Sequence, residues 1–161
     1  MVYGEFFADG TPEEKIIFEP LAPEVPAGAW KGIRIYENAT AELKGIEIRK
    51  AGELFFGEKA GLYVLGSLLL EDAVIENNYG KGVMLAATEE TVIRRTVFRD
   101  HQTPSFAIAL VVSDSEVLLE DVSFINNALG VYASEESSVS VSGSIAFENN
   151  TANTSPEDLL D

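Results

Sequence analysis

The chain of 161 residues has no cysteine, one histidine and one tryptophan. Without thiols there is no disulfide, no thiolate metal site and no cysteine nucleophile. The lone histidine, His101, has neither a second ligand nor a nucleophile in view, and it reads as a loop residue of a corner insertion running from His101 to Phe106. Basic residues are sparse as well: 11 against 27 acidic ones, a formal charge of −16. That balance repels phosphate backbones and anionic lipid surfaces, which argues against a nucleic-acid partner. No apolar run reaches the ~18 to 20 residues of a membrane span, so membrane insertion is not predicted. Neither a phosphate-binding glycine motif nor an EF-hand-type loop occurs. With 46% of its residues apolar, the chain is too hydrophobic for disorder and long enough for one domain with a real core.

What is present is a repeat. Leu70-Glu71-Asp72-Ala73-Val74-Ile75-Glu76-Asn77-Asn78, followed by Gly82-Val83-Met84-Leu85, returns as Leu119-Glu120-Asp121-Val122-Ser123-Phe124-Ile125-Asn126-Asn127, followed by Gly130-Val131-Tyr132-Ala133. A looser copy runs from Ile93 to His101. Each copy divides into a strand a that opens on Gly-hydrophobic, a strand b, a tight corner and a strand c. The a strands start near Ile33, Leu62, Val83, Ile108 and Val131, at separations of 29, 21, 25 and 23 residues. A period in the low twenties with insertions at some corners marks stacked solenoid coils, and helical signals are too few for leucine-rich repeats. Alternation turns Ile33/Ile35, Leu62/Val64, Val83/Leu85, Ile108/Leu110 and Val131/Ala133 inward from strand a. Leu43, Leu70, Ile93, Leu119 and Val141 do the same from strand b, and Ile48, Ile75, Phe98, Phe124 and Phe147 from strand c. Like stacked on like at about 4.8 Å is the core of an all-β, single parallel β-helix over residues 1–161, of about five to six coils with three short strands each.

The two ends differ from the repeat. Tyr3 to Ala8 and Lys15 to Phe18 read as strands b and c of an incomplete first coil (1–31), which suggests a fragment of a longer solenoid or an end that something covers. Pro20, Pro23 and Pro26 stiffen an excursion from Glu19 to Ala29 that is expected to lie over a coil face or an open end. The repeat coils fill 32–150. In the last segment, 151–161, Ser155-Pro156-Glu157-Asp158-Leu159-Leu160 has an N-cap, a proline at the first helical position and early acids, the signals of a capping helical turn.

The coils, with Asn-Asn leaving strand c and Gly-hydrophobic opening strand a, resemble the right-handed parallel β-helix repeats of the pectate-lyase-like superfamily. Gly4-Glu5-Phe6-Phe7-Ala8-Asp9-Gly10-Thr11-Pro12, then Lys15-Ile16-Ile17-Phe18 and Trp30-Lys31-Gly32-Ile33, is similar to prokaryotic surface and adhesin-type β-helix proteins. The resemblance implies an extracellular or cell-surface setting and a right-handed coil. It leaves function open, because the fold carries lyases, hydrolases, adhesins and passive scaffolds alike. It also implies a structural asparagine ladder, which the sequence places in the column Lys50, Asn77, Asp100, Asn126, Asn149.

Two surfaces stand out as candidates. Outward positions of strand a are Arg34, Tyr36, Tyr63, Leu65, Met84, Ala86, Ala109, Val111, Tyr132 and Ser134. Tyr63, Leu65, Met84, Ala86, Val111 and Tyr132 form a nearly uncharged sheet face in an acidic chain, which predicts a contact surface for another copy, a partner or the rest of a parent protein. The Pro-rich excursion or the insertion Glu53 to Gly57 could instead fold back over it. The second surface is the b–c corner, where Glu71, Asp72, Arg94, Arg95, Glu120 and Asp121 alternate in sign from coil to coil. It reads as an ion-pair ladder that fixes register, with a binding site for a glycan or sugar acid as the alternative. No cofactor is predicted, and calcium at this corner is the one ion that alternative admits. The expectation for function is a non-catalytic structural or interaction module. The rival is a carbohydrate-active β-helix enzyme (polysaccharide lyase or glycoside hydrolase-like) or carbohydrate-binding module.

Overall fold

A computed structural model describes residues 1–22, 24–52, 58–88, 90–103 and 107–160. Sixteen strands follow one another with no helix among the described residues: β1 (Glu5–Asp9), β2 (Ile16–Phe18), β3 (Ile33–Ile35), β4 (Thr40–Lys44), β5 (Ile46–Arg49), β6 (Ala60–Val64), β7 (Ser67–Glu71), β8 (Val74–Glu76), β9 (Lys81–Ala86), β10 (Thr91–Arg94), β11 (Val97–Arg99), β12 (Ile108–Ser113), β13 (Glu116–Ile125), β14 (Leu129–Ala133), β15 (Ser138–Glu148) and β16 (Ala152–Ser155). Every pairing is parallel and joins one coil to the next. Strands a build a six-stranded sheet in the order β16-β14-β12-β9-β6-β3, while strands b and c share the larger sheet because β13 and β15 run through the b–c corner unbroken. The result is a parallel β-solenoid of about five turns.

The corners explain how so short a period closes. At the b–c corner Gly45, Asp72, Arg95, Asp121 and Gly143 all take positive φ, between 46° and 73°. One left-handed residue per coil is enough to swing the chain from b to c, and short polar side chains or glycine bear that conformation most easily. At the c–a corner the same role falls to Lys50, Asn77, Asp100, Asn126 and Asn149, with φ between 47° and 61°.

The inward columns are those of the alternation pattern, and their aliphatic members in the middle coils are almost wholly buried, whereas Ile33, Val141 and Ile145 toward the ends are less covered. Phe98, Phe124 and Phe147 stack face to face at 5.1 and 5.2 Å between centroids. One strand is phased differently from expectation. Leu110 and Val112, not Ile108 and Leu110, stand level with Val83/Leu85 and Val131/Ala133, and Ile108 stands beside Lys81. The glycine that opens the neighbouring a strands is replaced here by Ala109, level with Gly82 and Gly130, so the marker of phase is absent. The shift is two residues, which keeps every side chain on its predicted face.

The termini depart further. Val2 bridges Ile35, so a single residue of the first coil occupies the a sheet. Gly28 and Ala29 of the proline-rich excursion donate to the carbonyls of Lys50 and Ala51, and the Trp30 indole donates to Arg49 O at 2.9 Å. The excursion is thereby tied to the c–a corner. The insertion Glu53 to Gly57, the other suggested cover, lies outside the described residues. At the far end there is no capping helix: Ala152–Ser155 pairs with β14 and a turn over residues 157–160 follows, with Leu159 half-buried against the core. Tertiary pairing overrides the local capping signals there.

Candidate functional site

Parallel in-register stacking turns the outward a positions into straight rows. Arg34, Tyr63, Met84, Val111, Tyr132 and Ser155 form one, coil by coil. Ala86 stands level with Ser113 in the next row, which also takes in Leu65. Tyr63, Leu65, Met84 and Ala86 are half-buried and Tyr132 is exposed, whereas Val111 is buried although it points outward. Its neighbours in the row, Met84 and Tyr132, carry longer side chains. Ala109 is buried too, level with two glycines.

At the first-coil end of this face lies an aromatic and cationic cluster. The Arg34 guanidinium stands over the Tyr63 ring at 4.5 Å and 6.0 Å from Tyr36, and Tyr36 in turn stacks on Tyr3 at 4.4 Å with an interplanar angle of 18°. Rings hold a guanidinium flat through cation–π attraction. Burial pushes the Tyr63 hydroxyl pKa up, Glu58 adds to the rise, and Arg34 opposes it. A concavity of about 300 Å³ opens beside Leu65, bounded by Glu37, Asn38, Thr40 and Ser67.

The b–c corner is assembled differently from its alternating sequence. Arg94 and Arg95 both turn toward the preceding coil. Arg94 Nη2 donates to Glu71 Oε2 at 2.6 Å, Arg95 Nε donates to Asp72 Oδ1 at 2.9 Å, and Arg95 also pairs with Glu71 Oε1. These bonds draw the Glu71 and Asp72 carboxyls below their ordinary range, the arginine hydrogen bond being the main cause in each case. Asp121 instead accepts from the Ser144 backbone N–H and hydroxyl, at 2.9 and 3.2 Å. Of the six residues at this corner, Glu71, Asp72, Arg94 and Arg95 form one ion-paired cluster, Asp121 is engaged by the next coil, and Glu120 stands level with Arg94. A second ladder runs along strand c. Arg49 bonds Glu19 at 2.8 Å and Glu47 at 2.7 Å and lies 3.7 Å from Glu76, which takes Arg99 Nε at 2.6 Å. No group of three or more His, Asp or Glu placed to hold a metal ion occurs among the described residues.

His101 lies outside any strand, as expected of a loop residue, but not at the surface. It is fully buried, because it stands in a column of side chains stacked inside the c–a corner: Ala51, Asn78, His101, Asn127 and Asn150. Asn78 Oδ1 accepts from Ala51 N–H at 2.9 Å and its Nδ2 donates to Ile48 O at 3.2 Å. Asn127 Oδ1 faces His101 Nδ1 at 3.1 Å and accepts from the His101 backbone N–H at 3.1 Å, while Asn127 Nδ2 donates to Phe98 O and to Asn150 Oδ1. The buried amides are thus one residue beyond the predicted column, whose members are the left-handed corner residues. A usable signal existed. Lys50 and Asp100 are charged and unfit for the interior, whereas Ala51, Asn78, His101, Asn127 and Asn150 all are fit for it. The small residues beside the column follow from it: a Cβ on Gly61 would come within 2.8 Å of Asn78 Nδ2, and one on Gly82 within 2.7 Å of His101 Nε2.

Residues 31–155 match the family described as right handed beta helix region. No curated protein and no solved structure matches the chain. The match spans most of the molecule and covers the coils from β3 to β16, so the chain belongs to the right-handed β-helix family.

Proposed function

We propose that this β-helix is a non-catalytic interaction module of a secreted or cell-surface protein, and that the outer face of its a sheet meets a partner protein or a second copy. The row Tyr63, Met84 and Tyr132 carries this reading: these uncharged side chains are in register and partly exposed, in a chain of formal charge −16. Apolar surface held in a straight row suits contact with another flat surface, and tyrosine and methionine adapt readily to a partner. The carbohydrate-active alternative needs charged groups free to meet a substrate. At the b–c corner Glu71, Asp72, Arg94 and Arg95 are engaged with one another, which favours the register-fixing role.

The test is the solution mass by light scattering behind a sizing column, at low and high salt. A closed dimer that persists or tightens in salt and dissolves on Met84→Glu is the expected result. Unsaturated product released from acidic polysaccharides, or a melting temperature that rises with calcium, would overturn the reading in favour of the enzyme.

A further inference from the structure

We infer that Asn38 is an acceptor for N-linked glycosylation, an inference that rests on the surface setting proposed above. An asparagine can take a sugar on its amide where Ser or Thr follows two residues later with no proline between. Three stretches meet that requirement: Asn38-Ala39-Thr40, Asn149-Asn150-Thr151 and Asn153-Thr154-Ser155. The asparagine at the head of each is exposed. Asn78 and Asn127, whose amides are buried in the inward column, are followed at that distance by Gly80 and Leu129 and lack the hydroxyl. The motif is therefore confined to asparagines that solvent reaches.

Asn38-Ala39-Thr40 is the motif in which no polar side chain is bonded elsewhere. Asn38 sits in the turn between β3 and β4 with φ at 61°. A left-handed angle by itself favours asparagine. Yet Ala87 and Asp114, which follow β9 and β12 with the same kind of angle, show that these turns do not require one. Thr40 is the discriminating residue, because turn geometry gives its hydroxyl no duty. It opens β4 with an exposed side chain, and among the described residues neither it nor the Asn38 amide has a hydrogen-bond partner. The other two motifs are tied into the last coil. Asn150 Nδ2 donates to Phe124 O at 2.9 Å and lies 3.4 Å from Asn153 Oδ1, and the Thr154 hydroxyl donates to Glu157 O at 2.9 Å.

The step is a substitution at the sugar. Asn38 Nδ2 bonds to the anomeric carbon of a diphosphate-activated sugar, and that carbon's bond to the phosphate oxygen breaks. The diphosphate leaves with the electron pair, and the amide nitrogen releases one proton. A transferase must draw the three residues into its own cleft, whereas the folded chain holds their backbone. Ala39 N–H donates to Tyr36 O at 3.1 Å, Ala39 O accepts from Ser67 N–H at 3.0 Å, and Thr40 N–H donates to Gly4 O at 3.0 Å. Transfer therefore belongs before this coil closes, and the fold must then accommodate the product. It does so without disturbing the core. The Asn38 side chain leaves an exposed corner beside the concavity of about 300 Å³, where Leu65 and Ser67 offer the first sugar ring an apolar patch and a hydroxyl. A sugar there borders the a face at Leu65 and stays off the row Tyr63, Met84 and Tyr132.

Trypsin cuts after Arg34 and Lys44, so residues 35–44 leave as one peptide that holds this motif alone. Mass spectrometry of that peptide, from the protein taken from its natural source, should show a sugar on Asn38. Thr40→Ala made in the same source should lose the sugar, and Thr40→Ser should keep it. Asn38→Gln is the second loss variant should Thr40→Ala fold poorly. A bare 35–44 peptide from protein that is secreted or exposed at the cell surface would overturn the inference and leave the surface setting standing. A bare peptide from protein found only inside the cell would overturn both. Sugar that survives Thr40→Ala would also overturn it, because the hydroxyl would then not select the site. The a-sheet contact is tested apart from this: a dimer of the sugar-free Thr40→Ala chain that Met84→Glu abolishes would support that contact whatever Asn38 carries.

Discussion

Replacing His101 by asparagine should remove most of the stability this protein loses between pH 7.5 and pH 5. The neighbours determine the imidazole's state. Asn127 Oδ1 is an acceptor at 3.1 Å from Nδ1, so Nδ1 carries the proton. Asn78 presents Nδ2, a donor, 3.4 Å from Nε2, so Nε2 must be the bare nitrogen. A second proton would put N–H against N–H and a charge in a fully buried site. Burial accordingly drives the pKa down from 6.5 to about 4, against the raising effects of Asn127, Asp100 and Glu76.

The sign follows from which state takes the proton first. Above pH ~6.5 the ring is neutral folded and unfolded, and it costs nothing. As the pH falls from there toward 4, the unfolded chain binds a proton that the folded chain refuses, and stability declines. A depression of this size corresponds to about 3 kcal/mol once both states are titrated, and to about 2 kcal/mol by pH 5. The carboxylates Glu71 and Asp72 act in a lower window. Their pKa values are depressed by the arginines, so their contribution is present above the ordinary values of 4.5 and 3.8 and is lost as the pH falls through the folded values. Glu47, whose carboxyl pKa burial raises, acts with the opposite sign toward pH 5 but equally in both proteins, so urea unfolding of wild type beside His101→Asn at pH 7.5, 6 and 5 isolates the histidine. The wild type should lose about 2 kcal/mol more than His101→Asn over that range. Equal losses in the two proteins would refute the tautomer and the burial argument together.

Three further outcomes follow from packing and charge. Gly82→Ala should destabilise by about 1 to 3 kcal/mol in urea melts, because the new methyl meets His101 Nε2 at 2.7 Å and the Ala109 carbonyl at 2.4 Å, and neither neighbour can retreat. Phe124→Ala empties the middle of a three-ring stack and should cost about 3 to 5 kcal/mol by the same assay. Arg94→Ala combined with Arg95→Ala should lower stability by about 1 to 2 kcal/mol, an effect that shrinks at high salt, since each pair is at least partly solvated. A loss of measurable ligand binding in that double variant without unfolding would instead mark the corner as a site.

The inward columns were legible because period-2 alternation is reinforced by stacking: each column is written in the sequence about five times. The positions misread are those where two roles fall on adjacent residues. Asn77 and Asn126 take the left-handed corner while Asn78 and Asn127 point inward to bond the backbone, and residue type alone does not divide the pair. His101 was hidden for the same reason. It follows Asp100 and opens an insertion, so it resembles a loop residue until the column is counted through Asn78 and Asn127. At the b–c corner the alternation of sign was visible, but each arginine has an acid one coil away on either side. Asp121 is engaged by Ser144, and Glu71 and Asp72 hold both guanidinium groups.

Repetition explains why fold was easier to read than function. A solenoid position copied in every coil reports the fold, and an error in one coil is corrected by the others. What distinguishes this chain from a generic coil stack occurs once: the Arg34 cluster among Tyr3, Tyr36 and Tyr63, and the imidazole of His101 in a column otherwise made of Ala51 and asparagines. These break the translational symmetry, so no neighbouring coil predicts them. Pairing partners are also fixed by geometry at the ends rather than by local propensity. Ser155-Pro156 carries every signal of a helix start, yet Ala152–Ser155 extends the a sheet, because bonding to the exposed edge of β14 satisfies a row of backbone groups that one helical turn would leave to water.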